Sequence, residues 1–92
     1  MKIYIAGPMS GYPDFNRPAF HSAAHRISSG GNIPLSPAIL PDGLDEPDYM
    51  AICITMLQRS DSVLMLPGWE KSAGAAAEHA LAKKLGLIIH YL

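Results

Sequence analysis

Apolar residues along the chain recur with two different periods, and the alternation of those periods divides it into seven segments. Lys2-Ile3-Tyr4-Ile5-Ala6 is β-branched and aromatic, which predicts a strand starting almost at the N-terminus. Gly7-Pro8-Met9-Ser10-Gly11 follows as a glycine-bracketed turn, open to close approach by a ligand. Phe20, Ala23, Ala24 and Ile27 then fall at i, i+3, i+4 and i+7, the stripe of a first helix. Asp14 or Asn16 is available to cap it, Pro18 suits its first turn, and Ser28-Ser29-Gly30-Gly31 stops it. Ile33 and Leu35 alternate around Pro34, which cannot donate to a ladder, so Asn32 to Pro37 predicts a short edge strand.

Pro37 to Pro47 holds three prolines and three acids and reads as a loop near the mouth of any site. Asp45 can cap a second helix, whose stripe is Met50, Cys53, Ile54 and Leu57. Ser62 to Leu66 is a third strand, Ala73 to Leu85 a third helix, and Leu87 to Tyr91 a last strand. Gly86 fits a left-handed helix C-cap. No repeat, low-complexity stretch or linker interrupts the series, so residues 1–92 form one domain.

Strands alternating with helices predict an α/β fold: a small parallel sheet, Rossmann-like, with helices on both faces. Right-handed crossovers make 2-1-3-4, the flavodoxin-like order, the simplest arrangement of four strands. Strands one and three are then neighbours whose helices leave on opposite faces, and open α/β sheets bind ligands in the crevice beyond such a pair. Gly7–Gly11 and Pro67–Ser72 end those strands, so the two loops converge there.

The third helix supplies the chemistry. Ser72 can accept from an orphan backbone N–H at its start, and Ala75, Ala76, Ala77, Ala80 and Ala82 leave little bulk between it and its neighbours. Within that small-residue surface Glu78 is a lone carboxylate, either a site group or a solvated helix residue.

Composition narrows the partners. At 92 residues, 49% apolar and 16% charged, the chain is a packed globular domain for which self-association, most simply as a homodimer, adds stability. A net charge of −1 with scattered basic residues argues against nucleic acid, while a phosphate-bearing small molecule remains open to a loop of backbone N–H groups. Cys53 is the single cysteine, so neither an intrachain disulfide nor a cysteine zinc cluster can form. No apolar run is long enough for a membrane span or signal peptide, which points to the cytoplasm.

Ile3-Tyr4-Ile5-Ala6-Gly7-Pro8, Asp61 at the head of the third strand, and Ser72-x-Gly74-x-x-x-Glu78 together resemble the nucleoside 2-deoxyribosyltransferases. They are similar also to deoxynucleoside 5′-monophosphate N-glycosidases and, most closely, to a small branch of that superfamily frequent in phages and prophages. The resemblance implies an N-glycosidase or transferase with a deoxynucleoside or nucleotide as substrate and with no metal or cofactor. It implies Glu78 as the nucleophile that attacks C1′ and Tyr4 as the hydroxyl that orients it; Tyr4 also reads as a core strand residue. Ser72 and Gly74 match the sugar or 5′ end, with Gly7, Ser10 and Gly11 as loop donors. A serine at position 72 goes with the monophosphate enzymes, an aspartate being usual in the nucleoside-specific ones. Those monophosphate enzymes, however, carry an arginine where this chain has Ser10.

The chain departs from the family at Cys53. The resemblance places there, eight residues before Asp61, the aspartate that protonates the leaving base. A thiol is a weaker donor, and Cys53 also lies on an apolar stripe as a core residue would. Asp48, one turn earlier, substitutes only if the register shifts. A non-catalytic nucleotide-binding module of the same fold is therefore the alternative. Trp69 either stacks on a base at the pocket rim or covers the sheet end. His21 and His25 have a metal-compatible i, i+4 spacing but no third ligand, which favours a solvated face.

Overall fold

The computed structural model describes all 92 residues. Its elements run β1 (Lys2–Ala6), α1 (Arg17–Ser29), β2 (Ile33–Leu35), α2 (Glu46–Gln58), β3 (Ser62–Met65), α3 (Ala73–Leu85) and β4 (Ile88–Tyr91). The four strands form one sheet in the order β2-β1-β3-β4, parallel throughout. Asp61 fixes the β1/β3 register, since its carboxylate accepts from Lys2 N at 2.8 Å and its own N–H donates to Lys2 O at 2.8 Å.

Successive residues of a strand face opposite sides, and β1 sorts the core accordingly. Ile3 and Ile5 pack with Phe20, Ala23 and Ile27 of α1 on one face. Tyr4 and Ala6 pack with Val63, Met65, Cys53 and Leu57 of α2 and Ala82 of α3 on the other. The helices following β1 and β3 thus leave on opposite faces, and the crevice expected between them is present.

Most boundaries agree with the sequence pattern. α3 has the expected limits, with Gly86 in the left-handed conformation (φ 73°, ψ 23°) at its end. The three later strands are shorter than expected, β2 by the most, because Pro34 and the turn after Leu35 leave little ladder. At the start of α2, Asp48 accepts from Asp45 N at 3.2 Å.

The entry to α1 is different. Neither Asp14 nor Asn16 caps the helix by its side chain. Instead Asp14, Phe15 and Asn16 take positive φ of 51°, 52° and 60°, three consecutive left-handed residues none of which is glycine. Asn16 Nδ2 donates to Pro8 O at 2.9 Å, which ties this turn back to the β1 loop, and Asp14 pairs with Arg17. No helix is long and apolar enough to cross a membrane.

Candidate active site

A cavity of about 600 Å³ opens beyond the carboxyl ends of β1 and β3. Its floor is the pair Tyr4 and Glu78. Tyr4 points from β1 towards α3 and is fully buried. Small residues let α3 come close, Ala75 being buried at the cavity and Ala82 against the sheet, and Glu78 lies between them at 7% exposure. Tyr4 Oη donates to Glu78 Oε2 at 2.5 Å, joining residues 74 apart in sequence.

Burial dominates the electrostatics of this pair. It pushes the Glu78 carboxyl up to about 7, against the Tyr4 hydrogen bond, which favours the ionised form. Burial first, then the Glu78 charge, drive the Tyr4 phenol far above its ordinary value, so it remains a donor. Cys53 lines the same cavity at 8% exposure. Burial raises its thiol pKa; the neighbouring Tyr4 hydroxyl opposes this, and the charges of Glu78 and Glu46 add to it. Such a thiol holds its proton and donates it poorly.

The two glycine loops do converge. A Cβ on Gly7 would lie 2.8 Å from Leu66 Cβ, and one on Gly68, at φ +88°, would lie 3.0 Å from Tyr12 Oη and 3.3 Å from Pro8. Only a residue without a side chain fits at either point. Ser72 Oγ accepts from Ala75 N at 3.3 Å and so caps α3 as expected. Gly7, Ser10, Ser72 and Gly74 all line the cavity.

Two expected members of the site do not. Gly11 has φ +84° and turns the loop without reaching the cavity wall, although Ser10 and Tyr12 on either side of it do. Trp69 is outside the cavity too. Its indole stacks on the His79 ring at 4.1 Å between centroids and 26°, and His79 Nε2 is 2.8 Å from Tyr91 Oη. That cluster covers the end of the sheet beside β4, so the structural reading of Trp69 is the one realised. His21 and His25 are exposed, and no three His, Cys, Asp or Glu side chains gather at one point.

Other lining residues were not singled out from the sequence. The left-handed turn presents Phe15, and the loop before it Tyr12, both about half exposed at the mouth. Arg17 stands beside them, its charge held by Asp14 and Asp42. Lys71 joins Ser72 on the α3 side, and Glu46 the α2 side. Glu46 was detectable in principle: it precedes Met50, Cys53 and Leu57 at i−4, i−7 and i−11, so the apolar stripe of α2 points back to it.

A family model described as "Domain of unknown function (DUF4406)" matches residues 1–91. No curated protein matches the chain. Among solved structures, a 2-desoxiribosyltransferase from Leishmania mexicana superposes with a TM-score of 0.80 at 22% sequence identity. The match covers 99% of this chain and 63% of that one, so the chain spans less than two thirds of that protein's length. The shared feature is the fold.

Proposed function

The chain belongs to the DUF4406 family, and we propose that its cavity cleaves the N-glycosidic bond of a deoxynucleoside or its 5′-monophosphate. The observation carrying this reading is the buried Tyr4–Glu78 hydrogen bond of 2.5 Å at the floor of a cavity large enough for a nucleoside. A carboxylate withdrawn from water and held by one donor is arranged to meet positive charge developing at a sugar C1′. Likeness in fold to a 2-desoxiribosyltransferase supports the same direction.

In this mechanism ionised Glu78 attacks C1′, the C1′–N bond breaks with its electron pair on the base, and a glycosyl ester forms. A water or a second base then attacks C1′ and returns Glu78 as carboxylate, giving hydrolysis or transfer. Tyr4 is the positioning residue. Cys53 holds its proton, so the base takes its proton from solvent at the open mouth. At the N-terminal end of α3, Lys71 and Ser72, in place of a carboxylate, line the cavity without a negative charge that would repel a 5′-phosphate.

One observation favours a second reading, a nucleotide-binding module without turnover: the buried Cys53 at the position where an acid would assist departure. Incubation with the deoxynucleosides and their 5′-monophosphates, with free base followed by chromatography, separates the two. The enzyme releases base, and Glu78→Gln lowers the rate by at least about 10³-fold. Tyr4→Phe retains part of the activity and moves its pH midpoint upward from about 7, as loss of the donor raises the carboxyl further. Release that is unchanged in Glu78→Gln would refute the nucleophile assignment. Binding without release identifies the module.

A further inference from the structure

The α2 wall of the cavity carries a carboxylate with no role in that mechanism. Glu46 opens α2 and lines the cavity, and its side chain makes neither a hydrogen bond nor an ion pair with the rest of the chain. The polar side chains around it are engaged. Asp48 accepts from Asp45 N, Tyr49 Oη donates to Pro41 O at 2.6 Å, and Asp42 pairs with Arg17.

Helical spacing relates Glu46 to the floor. Glu46, Met50 and Cys53 stand at i, i+4 and i+7, share one face of α2, and all line the cavity. At 1.5 Å per residue Glu46 is about 10 Å along the helix from Cys53. Cys53 in turn packs in one cluster with Tyr4, and its thiol feels the charges of both Glu78 and Glu46. The wall therefore runs from Glu78 past a thiol and a thioether to a free carboxylate. With C1′ of a deoxyribose at Glu78, the base lies along Cys53 and Met50, an apolar and polarizable surface suited to a ring. Its far edge is then directed along α2 towards Glu46.

We infer that Glu46 reads that far edge and selects bases carrying an exocyclic amino group there, cytosine and adenine, over their oxo counterparts uracil and hypoxanthine. A carboxylate accepts hydrogen bonds and donates none, so an amino group satisfies it while a carbonyl sets two acceptors face to face. The inference rests on the N-glycosidic reading of Glu78 and adds the class of base to it. Because Glu46 is exposed and water competes for it, the discrimination is at the lower end for such a pair, about tenfold.

The test sets deoxycytidine against deoxyuridine, and deoxyadenosine against deoxyinosine, in competition for base release, as nucleosides or as 5′-monophosphates according to which series is turned over. Wild-type protein favours the amino member of each pair about tenfold, and Glu46→Gln and Glu46→Ala bring the ratio near one while still releasing base. Calorimetric binding of the same four compounds to Glu78→Gln gives the same order without turnover. Equal rates in the wild type, or a preference that survives in folded Glu46 variants, overturns the inference. Amino-selective binding without base release in the wild type leaves Glu46 as a specificity residue and removes the glycosidase reading. Binding of none of the four removes both.

Discussion

The two sides of the cavity are built in opposite ways. The α3 side is regular: a helix with a serine cap at one end and a left-handed glycine at the other, packed by small side chains against β1 and β3. It holds Glu78 through burial and a single hydrogen bond. The other side is a pair of loops, one running through three left-handed residues, the other through the prolines between β2 and α2, joined across the mouth by Arg17 and Asp42. Here the backbone is strained and the aromatic side chains stand half in solvent. Fixed chemistry on a rigid element and adaptable contacts on loops is a common division of labour in binding sites. In this chain the division follows from how much apolar surface each side buries.

Three measurements sharpen or break the contrast. The largest effect concerns the rigid side. Glu78 binds its proton more tightly folded than unfolded, from about 4.5 to about 7, so between those values the native state holds the extra proton. Stability is therefore greatest below about pH 4.5 as far as this group is concerned, and falls by on the order of 3 kcal/mol as pH rises through 7. Denaturant titrations between pH 5 and 8 check this: the wild-type slope with pH is largely absent in Glu78→Gln, which is the more stable protein at pH 8. A wild-type stability flat across that range would mean that the carboxylate is better solvated than its burial implies.

The seam between the two sides comes second. Gly7→Ala drives a Cβ to 2.8 Å from Leu66 Cβ, a buried side chain that cannot swing away. Loss of about 1–3 kcal/mol follows, read as a lower denaturation midpoint. An unaffected midpoint would show that the loop side yields freely even where it meets the sheet. The smallest effect has the opposite sign. Phe15→Gly relieves one left-handed residue and forfeits few contacts, because Phe15 is 45% exposed, for a net gain of about 0.5 kcal/mol. Destabilisation by that change would mean the aromatic ring holds the turn together, and the loop side would then be as firmly packed as α3.

The same contrast governs what was legible in the sequence. Limits of α3, its serine cap and the Gly86 stop follow from local period and composition, because each obeys its own propensity, and the strand order follows from the handedness of the crossovers. Convergence of the glycine loops follows from topology. Pairing of Tyr4 with Glu78 came from family resemblance, since no periodicity links positions so far apart, and the structure does bring them together. The left-handed turn was not legible, because Asp14, Phe15 and Asn16 adopt a conformation that a Cβ disfavours and that tertiary ties, such as Asn16 to Pro8, impose. Trp69 was ambiguous for a different reason: a residue just ahead of a helix can turn to either side of it, and His79 decides which. Glu46 did not stand out because an exposed acid in the first turn of a helix is ordinarily solvated there, while its neighbour Asp48 holds the helix end.

The hydrogen bond between positions 4 and 78 also has a bearing on synthesis. Translation proceeds from the N-terminus at about 5–20 residues per second, so Tyr4 is polymerised about 4–15 s before Glu78. During that interval Ile3-Tyr4-Ile5 is an apolar segment whose principal neighbour in the sheet, β3, is late to arrive, and whose early neighbour, β2, is only three residues long. Until β3 emerges the nascent chain thus carries a strand with only a short partner, the kind of segment on which holdase chaperones act and at which aggregation begins. The site, assembled from β1 and α3, is completed only once α3 has emerged.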